Sequence, residues 1–145
     1  MACRKSKTAE DKPMTAQRSH PTTERPLDAP LLTFDLPALL MQIKGEDAWR
    51  QGSRNAMTLL KGQRLRVMLV AMHAGTVIPS HRADGPISLQ VIEGALTFSA
   101  DAQTVMLRQG QLLTLQAGMP HAVEAIEESA FLLTLATETE HPAES

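Results

Sequence analysis

Short runs of apolar residues, many of them alternating with polar residues, fill the chain from Asn55 onward. Gly, Pro or Asp residues separate these runs about every 8–12 positions, the spacing expected for the strands of a sandwich or barrel. The predicted strands are Ala56–Leu60, Leu65–Met72, Pro86–Glu93, Ala95–Ser99, Thr104–Leu107, Gln111–Leu115, His121–Ile126 and Phe131–Ala136. The pattern therefore predicts an all-β domain whose strands are joined by tight turns, several of which contain glycine.

A different periodicity precedes the first strand and predicts one short helix. Asp35 is in the position of a helix cap, Pro37 suits a first helical turn, and Gly45 would end the helix. The apolar residues fall on a single helical face, which comprises Leu36, Leu39, Leu40 and Ile43. The sequence therefore predicts a short N-terminal helix ahead of the β domain.

Two of the predicted strands are apolar on both faces. Leu65–Met72 begins with alternation and ends in an unbroken apolar run, and Ile87–Ile92 changes in the same way. A strand with two apolar faces is buried on both, with one face in the barrel and the other under a second sheet, a helix or a partner subunit. Because a small β domain with two faces to cover is a good candidate for self-association, we expect a homodimer.

The length of 145 residues is enough for one domain with a sizeable core and too short for two such domains. We expect residues 1–30 to form a disordered polar tail, residues 31–136 to form the folded domain, and residues 137–145 to form a second tail. The N-terminal segment contains no apolar stretch of the kind found in secretory signals, so we expect a cytoplasmic protein.

Charge and composition argue against several classes of partner. With 14 basic and 16 acidic residues, a net charge of −2 and 3% aromatic residues, the chain has neither the basic field nor the stacking platform of a nucleic-acid-binding protein. No apolar run is long enough to cross a bilayer, so we expect no membrane partner. Cys3 is the one cysteine, which excludes an intrachain disulfide and a thiolate metal cluster.

Histidines and glycines in the β region form two spaced motifs. In the first motif, His81 follows Gly75 after five residues, and Gly94 closes the motif. In the second motif, Gly110 precedes Gly118 and His121. This spacing resembles the two motifs of the cupin superfamily, G-(five)-H-x-H-(three or four)-E-(six)-G and G-(five)-P-x-G-(two)-H-(three)-N. The resemblance covers about residues 65–136 and implies a double-stranded β-helix, the jelly-roll barrel of cupins.

The same resemblance implies a site inside the barrel, where cupins usually hold a divalent metal through three His and one Glu. His81 and His121 match two of the four ligand positions, whereas the other two positions are Ala83 and Ile87. A transition metal needs three or four donor atoms, and Ala and Ile offer none. His81 and His121 are therefore candidate ligands of an incomplete metal site, and the cofactor is either a divalent transition metal or none.

The expected pocket is apolar with two polar anchors, which is how small-molecule sites are commonly built. Its predicted lining is His81, His121, Ala83, Ile87 and Leu89. The remaining histidines are expected to be exposed to solvent; they are His20, His73 and His141.

Three functions remain open at this point. The preferred hypothesis is a cupin that binds a small molecule in the barrel pocket next to an incomplete metal site. The second is a metal-dependent cupin enzyme, of the isomerase or dioxygenase type, that uses His81 and His121. The third is a non-catalytic module for dimerisation or interaction. Fold alone does not choose among them, so no catalytic residue and no substrate are assigned.

Overall fold

The computed structural model describes residues 27–137, which form two short helices and nine strands. The helices are α1 (Leu36–Lys44) and α2 (Asp47–Gln51). The strands are β1 (Arg54–Lys61), β2 (Leu65–Met72), β3 (Val77–His81), β4 (Ile87–Glu93), β5 (Ala95–Ala100), β6 (Gln103–Arg108), β7 (Leu112–Leu115), β8 (His121–Ala125) and β9 (Ser129–Ala136). All eight predicted strands and the predicted helix are therefore confirmed.

The strands form two antiparallel sheets that face each other. Sheet A has the order β1-β2-β9-β4-β7, and sheet B has the order β3-β8-β5-β6. Chain neighbours such as β2 and β3 lie in different sheets, because the chain crosses from one layer to the other. This is the jelly-roll arrangement that the motif spacing implied.

The barrel interior is filled by apolar side chains from both sheets. Every second residue of β4 points inward, and Leu89 and Val91 there are 1% and 0% exposed. Sheet B contributes Leu96, Phe98 and Val123 to the same core. The two facing layers thus bury one continuous apolar core, which supplies the main driving force for folding.

A second apolar cluster covers the outer face of sheet A. The two helices contribute Leu40, Ile43 and Trp49, which pack against Leu69 of β2 and Ala130 of β9. The outer apolar face of β2 is thus covered by the chain's own helices, one of the three covers that the sequence pattern allowed. The expected homodimer remains a prediction.

The ends of α1 follow the sequence signals. The side chain of Asp35 accepts a hydrogen bond from the backbone N–H of Ala38 at 3.2 Å, and the backbone N–H of Gly45 bonds to the last turn of the helix. Two elements were not predicted, namely α2 and β3. α2 has only five residues, and β3 is largely exposed and contains Pro79, so neither carries a strong apolar period.

Both ends of the described segment lie beside the turn between β1 and β2. The backbone N–H of Lys61 donates to the carbonyl of Leu27, and the N–H of Thr137 donates to the carbonyl of Arg64. The predicted tails lie outside the described residues, except for residues 27–30 and Thr137. No helix within residues 27–137 has the length and apolar character that a membrane span requires.

Two glycines allow backbone segments to approach each other closely. A Cβ added at Gly85 would lie 2.7 Å from the carbonyl carbon of Ala136, and one added at Gly94 would lie 2.5 Å from Oγ of Ser129. Gly94 also has a φ of +84°, a conformation that only glycine adopts without strain. Ser129 is fully buried, and its Oγ accepts a hydrogen bond from the N–H of Ala95 at 3.1 Å. Gly94 therefore fixes the contact between the β4–β5 and β8–β9 connections.

A comparison of Gly94→Ala with Gly110→Ala distinguishes the destabilisation caused by this close contact from that caused by backbone strain. Gly110 has a φ of +87°, but an added Cβ would meet no atom within 4 Å. We expect Gly110→Ala to lower the free energy of unfolding by about 1–2 kcal/mol, the strain of a left-handed alanine. Gly94→Ala should cost at least about 2 kcal/mol more, because the backbone must also move. Urea denaturation of both variants measures the difference, and equal losses would contradict the contact.

A lysine joins the end of α1 to the same two connections. Lys44 Nζ donates to the carboxylate of Glu93 and to that of Glu128, the latter at 2.7 Å. Burial by itself lowers the pKa of Lys44, but the hydrogen bonds and charges of Glu128 and Glu93 outweigh it and raise the pKa above its ordinary value. The charged lysine is therefore stabilised by folding.

Lys44→Met tests this ion-pair network. Its loss leaves two carboxylates facing each other, so we expect the free energy of unfolding at pH 7 to fall by about 1–2 kcal/mol. Because the native pKa is raised, the stabilisation is fully present below the unfolded lysine pKa and disappears as the pH rises through the native pKa. Urea denaturation at pH 7 and at about pH 11 should thus give a smaller difference from wild type at the higher pH. Lys61→Met is the exposed control, and equal losses in both variants at pH 7 would refute the network.

Candidate functional site

Two histidines meet at the edge of sheet B. His81 is the last residue of β3, His121 is the first residue of β8, and the two are direct partners in the antiparallel ladder. Cross-strand partners project from the same face of a sheet. The two imidazole rings accordingly lie with centroids 4.3 Å apart and planes tilted by 58°. The structure therefore brings together the two residues that the motifs selected.

The two rings differ in their exposure. His121 is 5% exposed, and its ring stacks on Phe98 with centroids 5.4 Å apart and an angle of 11° between the planes. His81 is exposed to solvent. One imidazole is therefore part of the barrel interior, and the other stands where the interior opens to solvent.

Each imidazole is held by a hydrogen bond to the main chain of its own segment. Nδ1 of His81 lies 2.9 Å from the carbonyl oxygen of Pro79, and Nδ1 of His121 lies 2.9 Å from that of Met119. A carbonyl can only accept, so Nδ1 carries the proton in both rings. Nε2 of each neutral ring is then an acceptor, and neither Nε2 makes a hydrogen bond within residues 27–137. The pair offers two positioned acceptor atoms.

The rings border a small apolar cavity of about 90 Å³ inside the barrel. Apart from the two histidines, its lining is entirely apolar and comes from both sheets: Met68, Val70, Ile78, Ile87, Leu89, Phe98, Val123, Phe131 and Leu133. Four of the five predicted pocket residues lie in this lining. The other lining residues lie on inward-facing positions of β2, β3, β5, β8 and β9, where they pack with the barrel core.

Ala83, the fifth predicted pocket residue, does not line the cavity. It is half-buried against the barrel core, and its carbonyl accepts a hydrogen bond from the N–H of Gly118 at 2.9 Å. Arg82 also binds this loop, by donating from Nη1 to the carbonyl of Gly118 at 3.2 Å. The β3–β4 and β7–β8 loops are thus held together next to the histidine pair.

An open cleft of about 590 Å³ lies at the outer face of sheet A, on the side of the sheet opposite the cavity. Ile87 lines both spaces, and the cleft adds hydroxyl and amide groups at the ends of β4, β7 and β9: Ser88, Thr114, Gln116 and Thr134. Because Ser88, Thr114 and Thr134 form one cross-strand row on the outer face, the cleft is a separate polar surface and does not extend the interior cavity.

The donor set does not fit a metal ion held by four protein ligands. Within residues 27–137 there is no group of three or more His, Cys, Asp or Glu side chains that could hold one. Ile87 is 6% exposed and fills its place in the cavity with hydrocarbon. Metal sites in proteins ordinarily use at least three side-chain ligands, and this site supplies two.

His73 is not the exposed loop residue that we expected. Its ring stacks on the indole of Trp49, with centroids 3.5 Å apart, and its Nε2 donates to the carbonyl of Trp49 at 2.8 Å. The residue is half-buried and connects α2 to the end of β2. Its role is structural, because Trp49, on which it stacks, belongs to the helix cover of sheet A and not to the cavity.

Comparison with known proteins agrees with this geometry. The family model of the cupin domain matches residues 68–136. A protein of unknown function from Streptococcus pyogenes is 26% identical, with a TM-score of 0.57 over 60% of this chain and 76% of its own. A cupin superfamily protein from Desulfitobacterium hafniense is 18% identical, with a TM-score of 0.57 over 59% and 78%. No curated protein sequence matches the chain.

A larger enzyme shares the same barrel. Salicylate 1,2-dioxygenase from Pseudoaminobacter salicylatoxidans is 19% identical, with a TM-score of 0.55 over 70% of this chain, but the match spans only 30% of the dioxygenase. At this identity the likeness concerns the fold. The family model over residues 68–136 and the jelly-roll topology support a cupin-domain protein.

Proposed function

We propose that this protein binds a small, mostly apolar molecule in the barrel cavity, with His81 and His121 as its polar anchors. The observation that carries the proposal is the pair of Nε2 acceptors at the border of an otherwise apolar cavity. A buried apolar surface provides affinity, and a few positioned polar atoms provide orientation. Since each neutral Nε2 accepts, the ligand group that faces the pair is a donor, such as a hydroxyl.

The size of the cavity limits what it encloses. Its volume of about 90 Å³ is below the roughly 150 Å³ of an apolar cavity that accepts benzene. A short alkyl group fits, whereas a full-sized drug-like ligand does not. Any larger part of the molecule would extend past the exposed His81 toward solvent.

The two other functions have less support. A metal-dependent isomerase or dioxygenase would need donors where Ala83 and Ile87 stand, and the described residues offer no substitute. A pure interaction module has no need for an internal cavity, whereas this barrel keeps one next to its histidines. Small-molecule binding uses both the cavity and the unoccupied imidazole nitrogens.

His81→Phe tests the anchoring role, because His81 is exposed and its replacement leaves the core intact. Wild type should bind 1-butanol, with the alkyl chain in the cavity and the hydroxyl donating to Nε2. Loss of that hydrogen bond should weaken binding by about 1 kcal/mol, roughly fivefold in Kd. NMR titration measures the change, with Glu124→Gln on the exposed side of β8 as control. Unchanged affinity in His81→Phe would exclude the imidazole as an anchor.

Metal retention tests the incomplete site separately. With two imidazoles as the only donors that residues 27–137 bring to the site, a divalent metal added to the protein should be lost on dialysis. We expect native mass spectrometry and elemental analysis of protein loaded with Zn²⁺ or Ni²⁺ and then dialysed to detect less than about 0.1 metal per chain. One metal per chain that is retained in wild type and lost in His121→Ala would instead favour the metal-dependent enzyme.

A further inference from the structure

An arginine lies on the interior face of the barrel, one row beyond the cavity. Arg66 of β2 pairs with Leu135 of β9, and Leu135 pairs in turn with Ile87 of β4. Leu135 and Ile87 pack in the barrel core, and cross-strand partners share a face, so Arg66 shares the interior face as well. Met68, two residues further along β2, lines the cavity.

The spacing places the guanidinium within reach of the opening. Adjacent strands are about 4.8 Å apart, so the backbone of Arg66 is about 10 Å from that of Ile87, which lines both the cavity and the cleft. The long arginine side chain covers most of that distance, with its stem on apolar surface and its charge in solvent. Arg66 is exposed and makes no ion pair or hydrogen bond within residues 27–137.

The charges around Arg66 on this side of the barrel are positive. Its cross-strand partner on β1 is Lys61, and Arg64 follows in the adjacent turn. The rest of the row across sheet A is hydrocarbon, contributed by Leu135, Ile87 and Leu115. The β3–β4 loop contributes one charge of each sign, from Arg82 and Asp84. An anionic group is therefore favoured beside Arg66.

We propose that the ligand of this site is a small hydroxycarboxylate. Its short alkyl group occupies the cavity, its hydroxyl donates to an imidazole Nε2 of the histidine pair, and its carboxylate accepts from the guanidinium of Arg66. This inference rests on the proposed function, since it uses the same cavity and the same histidines. Beyond the proposed function, we infer that the ligand is an anion and that Arg66 selects its negative charge.

The test compares two probes of the same shape, 2-hydroxybutyrate and its neutral amide, 2-hydroxybutyramide. Wild type should bind the carboxylate at least about fivefold more tightly than the amide at low salt, and the ratio should fall as salt is added. Arg66→Gln should bring the ratio to about one without weakening amide binding. Arg108→Gln, which removes an exposed arginine on the far strand β6, should leave the ratio unchanged. His81→Phe should weaken both probes alike. NMR titration gives all of these affinities.

The outcomes separate the two proposals. If wild type binds both probes equally, or if the preference survives in Arg66→Gln, the inference on charge is overturned and small-molecule binding stands. If neither probe binds to wild type, the hydroxycarboxylate is overturned; if 1-butanol also fails to bind, the proposed function is overturned with it.

Discussion

The central strands β2 and β9 of sheet A are covered on both faces, and the rest of the molecule depends on this requirement. Its inner face closes against sheet B to make the barrel, and its outer face takes the helix cover through Leu69 and Ala130. Each face contributes apolar surface that is worth about 25 cal/mol for every Å² removed from water. Lys44 then ties the helix cover to the two connections that meet at Gly94. Helices, barrel and turns therefore form one packed unit.

The site follows from the same packing. Ladder pairing places His81 opposite His121, while the interior alternation surrounds them with hydrocarbon. Because His81 is exposed and His121 is buried, the pair lies at the border between this hydrocarbon and solvent. Ala83 and Ile87 offer no donor atom, and this is the basis of our proposal that the barrel binds a molecule with an apolar body. Arg66 adds a charge outside this enclosed part, where water still screens it.

Much of the fold could be predicted because alternation and glycine turns are local signals. The strand from Leu65 to Met72 has the predicted bounds, and the Asp35 cap and the end at Gly45 follow from single residues. The strand β3 could not be predicted, since Pro79 interrupts it and most of its residues face solvent. The partnership of His73 with Trp49 depends on how α2 packs, which no local pattern contains.

Part of the candidate site could also be predicted from the sequence. Motif spacing brought His81 and His121 together, but it also suggested Ala83, which packs against the core without lining the cavity. The position of Arg66 on the interior face could be predicted from the sequence, because Arg66 and Met68 are two residues apart on β2 and therefore share a face. The approach of residues 27 and 137 at the β1–β2 turn could not be predicted from any local pattern. Because the two residues lie close together, a short linker could join them. A circular permutant opened at the Asp101–Ala102 hairpin turn would then keep every strand pairing of the barrel.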